Sequence, residues 1–473
     1  MLFNSLEFFI FLPIVFCLYW FVFQRSLKAQ NILILVASYV FYGWWDWRFL
    51  GLLFLSTLID YSFGFWVGGT DERKRKLFLW LSIFNNLLVL GIFKYYNFFA
   101  VEAQHLLETI GFHVSPYLLK VVMPVGLSFY TFHGMSYVLD IYRGNFRPVK
   151  SFVDYAVFVS FFPLLVAGPI ERATHLLPQV QKKREFNYTQ AIQGLRLILW
   201  GLVKKVVIAD SLAPIVDTIF AHYGSYSGST LVLGILYFSI QIYGDFSGYS
   251  DIAIGTAKLF GFELLSNFRF PYFSRDVAEF WRRWHISLTS WFRDYLYIPL
   301  GGSKSGKWKA VRNVFIIFVV SGFWHGASWN FIVWGAFHAV GFMPLLLLKR
   351  NREHVGDPVA KNRKLPNFKE LLSILLTFAF VSFAWIFFRA ETLGKAVSYI
   401  YHFRVGLFSS PALKSFLLFY VLPFILIDWR FRDDERNLRM PANKFLRYFI
   451  YLISAFTIIY HMGNNSRFIY FQF

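Results

Sequence analysis

The chain alternates long apolar runs with short polar segments. Two of these runs, LFLWLSIFNNLLVLGIF at 77–93 and LLSILLTFAFVSFAWIFF at 371–388, contain no charged residue. Their length approaches the ~20 residues that an α-helix needs to cross a bilayer, and we count on the order of a dozen comparable segments, some too short to be full spans. Such continuous runs lack the alternating polarity of barrel strands. The pattern therefore predicts an all-α polytopic membrane protein.

The segment from 266 to 309 interrupts this pattern. It carries too many charges to cross a membrane and too many aromatic residues for a solvated loop, while its centre is compatible with a helix. Arginines mixed with aromatic residues suit an interfacial or re-entrant helix at the cytoplasmic side, and an ordinary cytoplasmic loop is the alternative. No repeat or linker divides the chain, so we expect a single domain over 1–473 that ends in a short aromatic tail at 462–473.

Composition supports the membrane assignment. Hydrophobic residues make up 57% of the chain and charged residues 16%, whereas a soluble protein carries about 25% charged residues. The formal charge of +20 lies mostly in short basic tracts between apolar runs, such as DERKRK at 71–76 and KRNRE at 349–353. The positive-inside rule expects such tracts in cytoplasmic loops near lipid headgroups, so nucleic acid is not an expected partner.

The basic tracts also fix a topology. Placing them in the cytoplasm leaves both the N-terminus and the C-terminus outside it. The first run, at 6–23, has no basic region before it and no small-residue cleavage site, so we expect a retained helix. The only cysteine, Cys17, excludes an intrachain disulfide and a cysteine-based metal cluster.

His325 stands in SGFWHGASWN at 321–330, inside an apolar stretch that runs to Lys349. It follows Lys309 by 16 residues, which at the helical rise is roughly 24 Å into a core about 30 Å thick. The stretch is expected to make two short passes with a turn near His325, where Gly322 and Gly326 permit a break or close packing. An ionisable side chain at that depth is a candidate functional group. The alternative is an imidazole that bonds a neighbouring helix.

A second histidine, His285, lies in FWRRWHISLTSWF at 280–292. In a continuous helix its neighbours would be Trp281 and Thr289. The adjacent Arg282 and Arg283 disfavour an imidazolium ion, so we expect a neutral ring that can accept a proton. The alternative is an interfacial histidine among basic residues.

Other polar groups accompany these histidines. Asp245 and Asp251 in QIYGDFSGYSDIAIG at 241–255 need partners or water at membrane depth, and they could orient a histidine, line a polar cavity or serve structure. Tight packing or a cavity rim is expected around His133, Glu171 and Arg172, which stand beside small residues in the sequence, and His133 is assigned no role. The sequence contains no metal motif, phosphate-binding glycine loop or serine-nucleophile elbow, so we expect neither a metal nor a resident cofactor.

Two segments that follow one another along the chain carry a family resemblance. RRWHISLTSWFRDYLYIPLGGSK at 282–304, followed by SGFWHGASWNFIVWGAFH at 321–338, resembles the paired signature of the membrane-bound O-acyltransferase family. Four further segments resemble its bacterial, alginate O-acetylase-like branch: MLFNSLEFFIFLPIVFCLYWF, PVGLSFYTFHGMSYVLDIYRG, FFPLLVAGPIERA and YGDFSGYSDIAIG. The resemblance covers nearly the whole chain.

This resemblance implies a ring of transmembrane helices around a thin central region in a bacterial inner membrane. It implies an O-acetyltransferase that moves acetyl from cytoplasmic acetyl-CoA, a substrate, toward an extracytoplasmic polysaccharide: alginate, another exopolysaccharide or peptidoglycan. His325 matches the principal catalytic histidine and His285 the second signature histidine. A separate extracytoplasmic acetyltransferase is the implied partner. Transfer from a thioester to a hydroxyl needs a base, and a neutral histidine can serve.

Two further sets of residues are candidates for handling the acetyl group. Acyl-CoA carries phosphates, and four basic residues at the expected cytoplasmic interface could bind them, or bind lipid headgroups instead: Arg282, Arg283, Arg293 and Lys304. The terminal block FIYFQF contains Tyr470, and it resembles an aromatic C-terminal motif that ends a small partner protein in D-alanyl transfer. Tyr470 is thus a candidate acyl relay, with an interfacial anchor as the alternative.

Two other functions compete with acyl transfer. A polysaccharide or lipid-linked-sugar exporter would line a substrate path with the intramembrane Asp and His residues. The histidine pair favours the transferase, and no inverted hydropathy repeat supports the exporter. A noncatalytic scaffold would leave His325 replaceable.

Overall fold

The computed structural model describes residues 1–166, 168–304, 306–412, 418–463 and 468–469. Its α-helices within these ranges are α1 Leu6–Cys17, α2 Leu27–Asp46, α3 Leu50–Val67, α4 Glu72–Leu90, α5 Tyr96–Thr109, α6 Leu127–Tyr142, α7 Phe152–Ser160, α8 Phe162–Leu165, α9 Ala173–Gln181, α10 Tyr188–Leu202, α11 Asp210–Ala221, α12 Gly228–Leu259, α13 Val277–Arg283, α14 Ile286–Phe292, α15 Lys307–His325, α16 Trp329–Leu347, α17 Phe368–Arg389, α18 Leu393–Tyr401, α19 Leu418–Arg430 and α20 Lys444–His461. Wider π-helical turns join several of them, at Leu18–Val22, Gly91–Tyr95, Val203–Ala209 and Arg293–Tyr297.

Several of these helices have the length and apolarity needed to cross a membrane. In the described part of the chain five stretches qualify, and they are Leu27–Val67, Glu72–Thr109, Gly228–Leu259, Trp329–Leu347 and Phe368–Arg389. The first apolar run forms a shorter apolar helix, Leu6–Val22. Described residues form helices and connecting segments without strands. The predicted all-α polytopic membrane fold is therefore confirmed.

The chain packs as two compact units. The first comprises residues 1–195 and 253–265, and the second comprises 196–252 and 266–473. Helices α10 and α12 contribute residues to both. Both candidate histidines and both candidate aspartates belong to the second unit. The assignment of 1–473 to one functional domain stays a prediction.

The first unit buries polar side chains by pairing them. On α3, Asp60 accepts hydrogen bonds from Ser82 Oγ at 2.7 Å and from Asn86 Nδ2 at 3.0 Å. His133 Nε2 accepts the backbone N–H of Glu171 at 3.1 Å. Glu171 Oε1 in turn accepts the N–H of Leu265 at 2.6 Å. Buried polar groups are stable when they are hydrogen-bonded. These contacts therefore agree with tight packing around His133 and Glu171, rather than with a cavity rim.

In the second unit, α15 and α16 form a closely packed helical hairpin. A Cβ atom on Gly322 would lie 2.2 Å from the carbonyl oxygen of Phe331. One on Gly335 would lie 2.1 Å from the carbonyl oxygen of Phe318. Two helices can approach this closely only where side chains are absent. The turn predicted near His325 is confirmed, since α15 ends at His325 and α16 begins at Trp329. That both helices pass through the membrane stays a prediction, because of the two only α16 is among the candidate spans.

Candidate active site

His325 is the last residue of α15 and lies buried at the turn of the hairpin. Its imidazole centroid is 5.2 Å from the Trp334 ring and 5.4 Å from the Phe388 ring. The helix ends here because Gly326 takes an extended conformation, and a Cβ atom on Gly326 would lie 2.2 Å from the Phe331 ring. The turn therefore holds the imidazole in an aromatic enclosure.

His285 lies where the interfacial segment breaks. Helix α13 ends at Arg283, and His285 has φ +43°, in the left-handed region, before α14 begins. Asn267 stabilises the break, because its carbonyl accepts the N–H of Ile286 at 2.9 Å. The expectation of one continuous helix through His285, with Trp281 and Thr289 as its helical neighbours, is therefore wrong. Non-glycine residues seldom adopt positive φ, so this break could not be predicted from the residue types.

The break brings the two predicted histidines together. The ring centroids of His285 and His325 are 6.3 Å apart. The centroid of the Trp324 ring lies 6.0 Å from that of His285 and 4.9 Å from that of His325. Both imidazoles are buried, His285 completely. Aromatic side chains dominate the surroundings of the pair.

The protonation of His285 follows from burial. His285 lies outside the five stretches that are long and apolar enough to cross a membrane. Desolvation lowers the pKa of its imidazole to about 3, so the neutral form prevails at neutral pH. The neutral ring was expected, but for a different reason. The adjacent arginines bind other groups, since Arg282 Nη1 donates to the carbonyl of Asn351 at 2.8 Å and Arg283 Nη2 bonds Glu279 Oε1 at 2.8 Å.

A third histidine, His338, supports this arrangement and was not singled out from the sequence. It lies buried on α16, one turn after Trp334, and the two rings are 5.0 Å apart. Trp281 Nε1 donates to His338 Nδ1 at 3.3 Å. The interaction links α13 to α16 beside the histidine pair. The spacing of Trp334 and His338, four residues on one helix face, was the available sequence signal.

Both candidate aspartates on α12 pair with lysines from the π-helical turn Val203–Ala209. Lys204 Nζ lies 2.9 Å from Asp251 Oδ2, and Lys205 Nζ lies 2.6 Å from Asp245 Oδ1. The backbones approach closely at this point, because a Cβ atom on Gly248 would lie 2.7 Å from the carbonyl oxygen of Gly201. These lysines were not predicted as partners, since a helix of regular pitch would not direct two adjacent side chains to the same neighbour.

The described part of the tail packs beside the site. Phe468 is fully buried, with its ring 4.2 Å from Tyr249 and 6.3 Å from Phe246 on α12. The ring of Phe246 is 4.7 Å from that of His285. Ile469 donates its backbone N–H to Asp245 Oδ2 at 2.7 Å. Tyr470, the candidate relay, lies outside the described residues.

The four candidate donor-binding residues differ in exposure and in their partners. Arg282 and Arg283 are half-buried and bonded within the protein, as described above. Arg293 is exposed, and its Nε lies 2.7 Å from Asp294 Oδ1. Lys304 is also exposed, shortly before α15 begins. Two of the four thus serve local structure, and two present charge at the surface.

Comparisons with known proteins establish the family. The model of the membrane-bound O-acyltransferase family matches residues 143–385, a range that includes both histidines. The chain belongs to this family. It is 40% identical to a probable alginate O-acetylase of Azotobacter vinelandii over 402 residues, which is 84% of this chain and 76% of the relative. The resemblance inferred from the sequence is therefore confirmed, and the protein is a multi-pass membrane O-acyltransferase.

Two other relatives extend the range of acceptors. The chain is 35% identical to a peptidoglycan O-acetyltransferase of Helicobacter pylori over 429 residues, covering 84% of this chain and 78% of the relative. It is 29% identical to a teichoic acid D-alanyltransferase of Bacillus subtilis over 285 residues, covering 56% of this chain and 69% of the relative. Members similar to this chain therefore include acyltransferases for different cell-envelope polymers.

Proposed function

We propose that the protein uses cytoplasmic acetyl-CoA as a substrate and transfers its acetyl group for O-acetylation of an extracytoplasmic polysaccharide, with His325 as the general base. The observation that carries this proposal is the 6.3 Å separation between the buried imidazoles of His285 and His325. The similarity to a probable alginate O-acetylase and to a peptidoglycan O-acetyltransferase supports acetyl as the transferred group. Alginate, another exopolysaccharide and peptidoglycan are the candidate polymers.

The chemistry assigns a different task to each histidine. His325 removes the proton of the acceptor hydroxyl as its oxygen attacks the thioester carbonyl carbon. The neutral His285 donates a hydrogen bond to the carbonyl oxygen, where negative charge develops. The carbon–sulfur bond then breaks, the acetyl ester forms, and the thiolate of coenzyme A takes up the proton from His325. Exclusion of bulk water by the aromatic enclosure limits hydrolysis of the thioester.

The donor approaches from the cytoplasm in this proposal, and both termini lie outside it in a bacterial inner membrane. The basic tracts between apolar runs support this orientation. Arg293 and Lys304 attract the phosphates of acetyl-CoA, since both are exposed. A separate extracytoplasmic acetyltransferase accepts the acetyl group and completes the modification of the polymer.

Tyr470 serves as the first acceptor in this scheme. Its phenol loses a proton to His325, its oxygen attacks the thioester, and an aryl acetate forms. Phenolate leaves more easily than an alkoxide, so the ester is a reactive donor for the partner enzyme. The burial of Phe468 against Tyr249 supports a tail that folds into the protein, as the relay requires.

Release of free thiol from acetyl-CoA tests the proposed function. Purified protein in detergent is mixed with acetyl-CoA, and thiol is quantified during the first turnover. The proposal predicts one thiol per active protein. An exporter releases none, and that result from well-folded protein would reject the transferase. A second reaction with propionyl-CoA reports whether the site prefers acetyl.

A further inference from the structure

Three charged side chains form a buried group in the second unit. Lys205 Nζ lies 2.6 Å from Asp245 Oδ1 and 2.7 Å from Asp210 Oδ1. Their side chains are 1%, 4% and 1% exposed, respectively. Taking charges out of water is expensive, and removing one partner from a buried pair is strongly destabilising. Such a group suggests a specific task beyond stability.

The geometry of Asp245 indicates that task. Its Oδ1 is held by Lys205, while its Oδ2 accepts the backbone N–H of Ile469 at 2.7 Å. A carboxylate that receives a backbone N–H forms a charge-assisted bond, which is stronger than one between neutral groups. Because the lysine fixes one oxygen, the direction of the other is also fixed. The backbone of the tail is thereby held at a defined point on α12.

Aromatic contacts set the tail beside this bond. Phe468 packs on Tyr249, one helical turn after Asp245, and also contacts Phe246. Phe246 in turn packs edge-on against His285, with the ring centroids 4.7 Å apart. One hydrogen bond and two aromatic contacts thus fix two consecutive tail residues, Phe468 and Ile469. Phe468 and Ile469 are therefore held on α12 next to Phe246, whose ring lies close to His285.

We propose that Asp245, oriented by Lys205, is a positioning residue that docks Phe468 and Ile469 of the C-terminal segment on α12, beside His285. Docking serves the acetyl relay, so this inference rests on the proposed function for its purpose. The dock itself is a property of the chain and can be tested without any substrate.

The neighbouring ion pair provides a matched control. Lys204 and Asp251 join the same two elements as Lys205 and Asp245, at 2.9 Å. Of the two carboxylates, Asp245 is the one that accepts the backbone N–H of Ile469. Removing either carboxylate therefore breaks one buried lysine pair between the same elements, but only removal of Asp245 also removes the acceptor for Ile469.

Cysteine labelling measures the docking. The variant Cys17→Ala, Ile469→Cys carries a single thiol at the docked position and keeps the backbone N–H. Its labelling rate by a polar maleimide in detergent is compared after adding Asp245→Ala or Asp251→Ala. Docking predicts slow labelling in the parent, at least a tenfold increase with Asp245→Ala, and less than a twofold change with Asp251→Ala. Fast labelling in the parent, or equal increases in both variants, would overturn the proposal.

A double-mutant cycle, read from melting temperatures, provides a second measurement. Deleting residues 468–473 removes the tail contact, so Asp245→Ala should lower the melting temperature less in the shortened protein than in the full chain. The effect of Asp251→Ala should be the same in both, because independent sites are additive. If Asp245→Ala fails to fold, Asp245→Leu takes its place, because leucine fills the side-chain space and offers no hydrogen-bond acceptor.

The outcomes separate docking from the relay. Protected labelling and a non-additive cycle establish the dock even when Tyr470→Phe retains full acetylation, and that combination would reject only the relay. Additive effects of Asp245→Ala and the deletion would reject the dock, whatever the activity of Tyr470→Phe.

Discussion

The imidazoles of His285 and His325 lie 6.3 Å apart between ring centroids, although His285 follows the end of α13 and His325 is the last residue of α15. Each histidine sits where a helix ends. α13 stops just before His285, which has a positive φ, and α15 stops at His325 because Gly326 is extended. The pair therefore depends on two backbone breaks, and substitutions that restore helix at either point should separate the rings.

The pH dependence of stability tests the buried neutral state of His285. An unfolded histidine has a pKa of about 6.5, whereas burial lowers the pKa of His285 to about 3. Between these values the unfolded state binds more protons, so acidification through this window destabilises the folded protein. We expect the melting temperature of the wild type to fall more steeply from pH 6.5 to pH 4 than that of His285→Gln. Parallel curves would contradict a buried, neutral His285.

Charge reversal distinguishes the two exposed candidate donor-binding residues, Arg293 and Lys304, from the two that are bonded within the protein. Arg293→Glu and Lys304→Glu should raise the acetyl-CoA concentration needed for half-maximal thiol release about tenfold, with little loss of the maximal rate. Arg282→Glu and Arg283→Glu should instead lower the melting temperature, because they break bonds to Asn351 and Glu279. Unchanged donor dependence in folded Arg293→Glu and Lys304→Glu proteins would leave lipid headgroups as the partners of these residues.

Tyr470→Phe tests the relay by removing one oxygen while keeping the ring. We expect at least a 100-fold loss of polymer acetylation, with binding of acetyl-CoA to the purified protein unchanged. Phe471→Tyr in the same background controls for the position of the hydroxyl and should not restore activity. Near-normal acetylation by Tyr470→Phe would show that the aromatic block acts only as an anchor.

The sequence predicted the helical membrane fold, and it singled out the two histidines that the structure brings together, because apolar length and an ordered pair of motifs are properties of the chain itself. It also predicted the turn after His325, since small residues there permit close packing. It did not predict the break at His285, which depends on Asn267 accepting the N–H of Ile286. That hydrogen bond is a tertiary contact, and local helix propensity pointed the other way.

The lysine partners of Asp245 and Asp251 were not predicted, because their pairing also depends on the three-dimensional structure. Lys204 and Lys205 are adjacent in the sequence and would face different directions on a regular helix. They lie in a π-helical turn, Val203–Ala209, which packs closely on α12. The burial of Phe468 was likewise a matter of tertiary structure, because the sequence allowed an interfacial tail equally well.

Acetyl transfer by His325 variants tests the central claim most directly. His325→Ala and His325→Gln are purified, shown to melt within a few degrees of the wild type, and assayed for thiol release and for polymer acetylation in cells. General base catalysis typically contributes about 10²–10⁴-fold, so both variants should lose at least 100-fold in both assays. Glutamine keeps hydrogen bonding without basicity. Wild-type acetylation by His325→Ala, or activity in His325→Gln alone, would contradict the assignment of His325 as the base.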